Sequence, residues 1–178
     1  MVVEGSGRLG NQPLEPVHVH YTSPQTPYGP IVSGGDGLTY CTIRAASVSD
    51  GFFMPESRAL LSRRLTRTHL SPDRVTRTPR STLGGLDRAE VDPLFEPGED
   101  GVAAWTVQAP PDADLELPAH LHNGGQFVLV VGGGLDLAGA HVGPLGVAHL
   151  SVEEAGRRCR AGRDGVQLVL VQFPRANR

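Results

Sequence analysis

The chain has no lysine. All sixteen of its basic residues are arginine, a bias that a GC-rich genome produces through codon usage and that carries no chemistry by itself. It also has no phosphate-binding loop of the strand–GxxxxGK[ST]–helix type, and no lysine to serve one. A Gly-x-Ser-x-Gly nucleophile elbow is absent as well. Aromatic residues are only 5% of the chain, so valine, leucine and alanine must fill its core. The two cysteines, Cys41 and Cys159, lie far apart and show no paired spacing. They read as free thiols in a reducing compartment, not as a disulfide framework. No stretch approaches ~20 consecutive apolar residues, which excludes a membrane-crossing helix. Met-Val-Val-Glu-Gly-Ser-Gly lacks the apolar centre of a signal peptide, so cytoplasmic location is the expectation. The net charge of -3 announces neither a nucleic-acid nor an acidic-membrane partner.

Glycine and proline are plentiful, at 23 and 15 of 178 residues. That composition favours short strands and turns over long helices. The length suits one domain, and three stretches are expected along it. Residues 1–16 show no periodicity and read as a flexible tail. Residues 17–90 hold N-terminal strands and an arginine-rich arm. Residues 91–178 hold the main β-rich body.

Within 17–90, Val17 to Tyr21 alternates at period 2 and reads as a strand, as does Leu38 to Ala45 after the Gly34-Gly35-Asp36-Gly37 turn. Glu56 to His69 has the pattern of a short helix. From Met54 to Glu90 there are eight arginines against four acidic residues. An exposed arm or a subunit contact is the plainer reading of that charge. An anionic-ligand surface is a sharper one. Nucleic acid is the least favoured, because no aromatics are interleaved with the arginines. The edge at Val17–Tyr21 would suit a homodimer.

Within 91–178, strands are expected at Gly101–Ala109, Leu115–His122, Gln126–Val131, Leu135–Ala138, Ala140–Val142, Val147–Val152, Arg157–Ala161 and Val166–Phe173. Turns are expected at Pro110–Asp114, Gly132–Gly134, Gly139 and Gly143–Gly146. Many short strands with glycine turns imply a sandwich or barrel. His120 and His122 stand at i and i+2, which on a strand puts both imidazoles on one face beside a Gly-rich turn, an arrangement that suits a transition metal. The same spacing at His18 and His20 lacks supporting context, and those two read as surface or strand residues. His141 is expected on a hairpin facing solvent. Glu153 and Glu154, adjacent on a strand, would face opposite ways and read as solvated surface.

The run from His120 through His122 and Gln126 to Gly132 resembles the first motif of the cupin superfamily: His-x-His, an acidic residue a few positions on, then Gly. Pro110-Pro111-Asp112-Ala113 and Leu117-Pro118 resemble that family's lead-in. The resemblance covers about 65 residues at the C-terminal end, extendable to about 80. It implies an all-β fold, a cupin-type double-stranded β-helix (jelly roll) closed as a barrel, with an N-terminal strand extension and a short helical or irregular arm. It also implies a divalent transition metal (Fe, Ni, Mn or Zn) held by His120, His122, Gln126 and His149. Trp105, Phe127, Val128 and Arg157 would line a substrate pocket. Strand alternation lets only one of Phe127 and Val128 face inward, and Val128 shares the face of Gln126.

Two departures from the family pattern keep alternatives open. Gln126 stands where the family has glutamate, and a neutral amide oxygen is a weaker ligand for a cation. The second motif admits two registers. One reads Pro144-Leu145-Gly146-Val147-Ala148-His149 literally and supplies His149 as third imidazole. The other places Gly143-Pro144 as the turn before a strand, loses the metal histidine and brings Arg157 near its place. The functional expectation is a metal-dependent enzyme on a small organic molecule, of dioxygenase, cyclase or isomerase type. The alternative is a small-molecule-binding or regulatory cupin without metal, whose pocket floor is His120, His122 and Gln126.

Overall fold

The computed structural model describes residues 1–24, 26–45, 53–60, 69–72 and 75–175. The chain divides into two compact units, Met1–Val75 and Thr76–Arg178. Among the described residues it is all-β apart from single helical turns.

In the first unit, strands β1 (Val2–Leu9), β2 (Gln12–Leu14) and β4 (Ile31–Tyr40) form an antiparallel sheet in the order β2-β1-β4. A separate two-stranded ladder joins β3 (Tyr21–Thr22) to β5 (His69–Leu70). Val2, Leu9 and Leu14 make a small core with Ile31 and Leu38 packed on it. Residues 1–16, expected as a loose tail, therefore carry two strands. Val2 and Leu9 are seven residues apart and meet in one core only through the register shifts between them, so no period-2 alternation marks them in the sequence. Gly34–Gly37, expected as a turn, lies inside β4, where a register shift between Gly5 and Gly7 absorbs the extra residues. Val17 and Val19 are buried and outside any strand, so the expected exposed edge at Val17–Tyr21 reduces to Tyr21–Thr22. Of the helix expected over Glu56–His69, Glu56–Leu60 forms a 3-10 turn and 61–68 lies outside the described residues.

The second unit is built on two long strands. β9 (Asn123–Leu137) and β12 (Arg158–Pro174) run antiparallel side by side. Their halves take different outer partners. The N-terminal half of β9 pairs β11 (Val147–Leu150), and its C-terminal half pairs β10 (Ala140–Val142). On β12, Arg158–Arg160 pairs β8 (Asp114–Glu116), and Val166–Gln172 pairs β7 (Ala103–Ala109), which pairs β6 (Glu90–Phe95). Each long strand thus serves two layers. The core lies between them, with Trp105, Val107, Val128, Val130, Leu168 and Leu170 from one layer against Leu115, Leu117, Leu135, Leu137 and Ala161 from the other.

The crossing point explains why glycine misled the reading of strand ends. Gly132–Gly134 does not stop β9, which continues to Leu137. Likewise Arg157–Ala161 and Val166–Phe173 belong to one strand. The register shifts between Ala161 and Val166, where Gly133 and Gly165 take φ of 71° and 75°. A Cβ on Gly133 would lie 2.0 Å from the Gly165 carbonyl oxygen. Glycine here lets two backbones cross at a bulge. The expected barrel closure is not found. The sheet path runs β10-β9-β12-β7-β6 and is open, with β10 and β6 at its ends. Three-residue strands at β8 and β10 and Pro93 in β6 are features that blunt edge pairing.

The Ala138-Gly139 turn has φ of 54° and 81°, the two positive values that a tight hairpin between β9 and β10 requires. From the arginine-rich stretch, α1 (Arg80–Leu83) buries Leu83, and Arg80 pairs with Asp164 at 3.0 Å. Thr78 N donates to Gln167 Oε1 at 2.8 Å, and Gln167 Nε2 donates to the Thr76 carbonyl at 2.9 Å. Thr76–Thr78 is thus tied down by the amide of a fully buried glutamine.

Candidate functional site

The residues of the expected metal centre do not converge. Leu115–His122 was expected as one strand, but only Asp114–Glu116 is strand. Pro118 cannot donate to a ladder, and the chain leaves the sheet there. His120 and His122 therefore sit on an irregular crossing segment. Their ring centroids are 5.6 Å apart and tilted by 53°. His120 Nδ1 accepts from the His122 backbone N–H at 3.4 Å.

His149 is a mid-strand residue of β11, opposite Phe127. Pro144-Leu145 is the turn before that strand. On β11, Leu150 is buried and Ala148 packs on the core, while His149 and Val147 are exposed. Alternation thus sends His149 outward, away from Gln126. Its ring packs on Phe127 at 4.8 Å, and Phe127 meets Phe173 at 5.8 Å. Phe127 belongs to that outer cluster, while Trp105 and Val128 are core. Arg157 is held outside by Glu154 at 2.7 Å. Glu154 lies in a 3-10 turn at Val152–Glu154, not on a strand, and caps the Ser151 backbone N–H at 3.1 Å. That hydrogen bond and the Arg157 charge hold its carboxyl below the ordinary range. His141 is exposed and paired with Asp136 at 2.7 Å.

What the structure does assemble is an amide floor at one end of the core. Gln126 and Gln172 stand directly opposite each other on β9 and β12. Both point inward, next to Val128 and Leu170, and Gln126 is 0% exposed. The hydrogen bonds fix every amide. The His120 backbone N–H can only donate, so it meets Gln172 Oε1 at 3.0 Å. The Gly101 carbonyl can only accept, so it takes Gln172 Nε2 at 2.6 Å. Gln126 Nε2 then donates to the Pro118 carbonyl at 2.8 Å and to Gln172 Oε1 at 3.1 Å. Gln126 Oε1 is left buried with no partner. Leaving such an acceptor unpaired costs about 1–3 kcal/mol, whereas the buried Gln167 amide in the same sheet has both ends satisfied.

These residues do not fit a metal. Among the described residues no three or more His, Cys, Asp and Glu side chains group at metal-holding geometry. Gln126 Nε2 is committed to two acceptors, and the third imidazole is on the opposite face.

No family model and no curated protein matches the chain. Solved structures do. One is Rhodobacter sphaeroides SigE in complex with the anti-sigma ChrR, 16% identical over 48% of this chain and 44% of that one, with a TM-score of 0.38. Another is the cupin domain of an XRE-family transcriptional regulator from Enterobacter cloacae, 19% identical over 50% of this chain and 100% of that one, TM-score 0.38. A third is a protein of unknown function with a cupin-like fold from Ralstonia eutropha, 20% identical over 52% and 59%, TM-score 0.37. The likeness is to cupin folds. At these identities and TM-scores it carries no argument about activity, and the architecture stands on the strand pairing itself.

Two histidines that the sequence reads as surface or strand residues are half-buried and outside any strand in the first unit. His18 Nε2 is buried without a hydrogen-bond partner. His20 is held down to about 4, first by desolvation and then by the neighbouring His69, His18 and amino terminus. The signal was present as Val-His-Val-His, but its partners lie about fifty residues away. Among the described residues no helix is long and apolar enough to cross a membrane.

Proposed function

We propose that residues 76–178 are a small-molecule-binding, cupin-like module that works without a metal. The observation that carries this reading is the buried, unpartnered Gln126 Oε1 at the end of the core. An orphan acceptor in a network otherwise satisfied calls for a donor from outside it. The ligand class is therefore a small polar molecule that presents an O–H or N–H: an alcohol, an amide or a sugar. His120, with Nδ1 engaged by the backbone, leaves Nε2 for a second contact. A carboxylate ligand loses its support, because Arg157 is neutralised by Glu154 outside the floor. The metal-dependent dioxygenase, cyclase or isomerase reading loses its support with the donor set. A homodimer through the open β6 edge is also disfavoured, since Glu90, Asp92 and Pro93 on it are the residue types that blunt edge pairing.

The test is a side-chain amide NMR titration with glycerol, acetamide and monosaccharides as probes. The Gln126 and Gln172 NH2 resonances and the His120 amide should shift together, and Gln126→Met should abolish the response. Binding that leaves those resonances unmoved, or that survives in Gln126→Met, would overturn the reading.

A further inference from the structure

A ladder of two residue pairs joins β3 to β5 in the first unit, with Tyr21 opposite Leu70 and Thr22 opposite His69. Continued by one pair, that register sets His20 opposite Ser71. A side-chain relay follows from it. His20 Nδ1 is hydrogen-bonded to Ser71 Oγ, and Ser71 Oγ donates to Gln12 Oε1 at 3.0 Å. His20 Nε2 and His69 Nδ1 share a hydrogen bond at 3.3 Å. The relay borders a cavity of about 470 Å³. His69 and Ser71 line that cavity from the β5 side, and Gln12, His20 and Tyr28 from the N-terminal side.

The bond between the two rings limits the protons they can hold. Two imidazoles have four ring nitrogens, and their shared bond needs one of them bare as the acceptor. At most three can then carry protons, so the pair bears at most one positive charge while the bond stands. The count is the same whichever way the relay runs. The first added proton fits on the outer nitrogen of His69, which is exposed. A second can enter only by setting N–H against N–H, in rings whose centroids are 5.5 Å apart. The surroundings oppose that second charge. Desolvation acts first on His20, then His69 from β5, His18 from its own segment and the amino terminus before β1, and together they hold it down to about 4. Gln12 and Ser71 are neutral, and so is a tyrosine such as Tyr28 below pH about 10. Glu15 acts on His18.

We propose that His20 and His69 form an acid latch: the second proton taken by the pair opens the β3–β5 ladder and withdraws His69 and Ser71 from the cavity. A ladder of two residue pairs is marginal by itself, so the relay is what fastens it. The sign follows from His20. Its ring accepts a proton less readily in the closed ladder than in an open one, where the ordinary value is about 6.5. Closure is therefore favoured in full above about 6.5. It weakens as pH falls toward 4, by up to about tenfold per pH unit. The latch is independent of the amide floor in residues 76–178.

Histidine-ring and backbone NMR on the full chain, from about pH 7 down to about pH 4, tests this. The His20 ring and the amides of Tyr21, Thr22, His69 and Leu70 should shift together, while Leu168 and Leu170 of β12 keep their positions. His69→Gln removes one of the two charges, and its amide oxygen can accept from a protonated His20. In that variant the ladder should stay closed at about pH 4, and His20 should titrate closer to its ordinary value of about 6.5. His69 is exposed, so circular dichroism of the variant at neutral pH should match the native chain. Three results would overturn the proposal, and the first two need no variant: ladder amides that stay in place once both rings are protonated, ladder amides that move only when β12 unfolds with them, or an equal acid response in His69→Gln.

Discussion

Gln126 and Gln172 face each other across β9 and β12 and share one hydrogen bond, Gln126 Nε2 to Gln172 Oε1 at 3.1 Å. The bond has a fixed direction, because the His120 N–H already occupies Gln172 Oε1 and the Gly101 carbonyl takes its Nε2. That direction leaves the Gln126 oxygen as the buried acceptor without a partner.

Gln126→Glu restores the residue type expected from the cupin pattern, yet it should destabilise this chain. A carboxylate there would face two acceptors, the Pro118 carbonyl and Gln172 Oε1, where only a donor is accommodated. A loss of about 2–4 kcal/mol at pH 7 is expected in urea unfolding. The protonated acid can donate, so its folded pKa lies above the ordinary value of about 4.3. Such a group is stabilising at low pH and loses that stabilisation as pH rises. The gap from the native chain should therefore narrow as pH falls toward 4. A variant as stable as the native chain at pH 7 would show that the amide directions are wrong.

Gly133→Ala should cost about 3 kcal/mol or more, because the new Cβ would meet the Gly165 carbonyl oxygen at 2.0 Å in a positive-φ conformation. Gly139→Ala, also at positive φ but with no atom within 4 Å, should cost only about 1 kcal/mol. Chemical denaturation of the two variants side by side checks this. Equal costs would mean that the strand crossing at Gly133 and Gly165 is not the close approach described.

Cys159 is buried in the core, and desolvation pushes its thiol up to about 11. At pH 8 it should react with iodoacetamide more than about 100-fold slower in the folded chain than in urea, since the thiolate is the reactive form. Peptide mass mapping reads the modified site. Rapid labelling of Cys159 in the folded protein would contradict its placement between the layers.

Much of the fold was legible because alternation and turn chemistry are local. β7, the Ala138-Gly139 hairpin and the Pro110–Asp114 turn sit where the residues put them. The glycine runs at 34–37 and 132–134 were misread as ends, because glycine marks a bulge as readily as a turn, and only the partner strand decides which. The site was legible in part. Gln126 and Val128 share an inward face as alternation requires. Gln172, the residue that orients Gln126, had no local signal, since its role arises from cross-strand register. His149 faces outward, opposite to Gln126, by a single step of alternation on β11. His20, Ser71 and His69 were invisible as a group for the same reason: a two-residue ladder between distant segments brings them together.

Metal analysis of the untagged chain, never exposed to chelator or a metal-affinity column, tests the central claim most directly when native protein is compared with His120→Ala. No metal is expected at His120, His122, Gln126 and His149, so the metal content of the two proteins should be the same. Stoichiometric metal in the native chain that His120→Ala removes would contradict it.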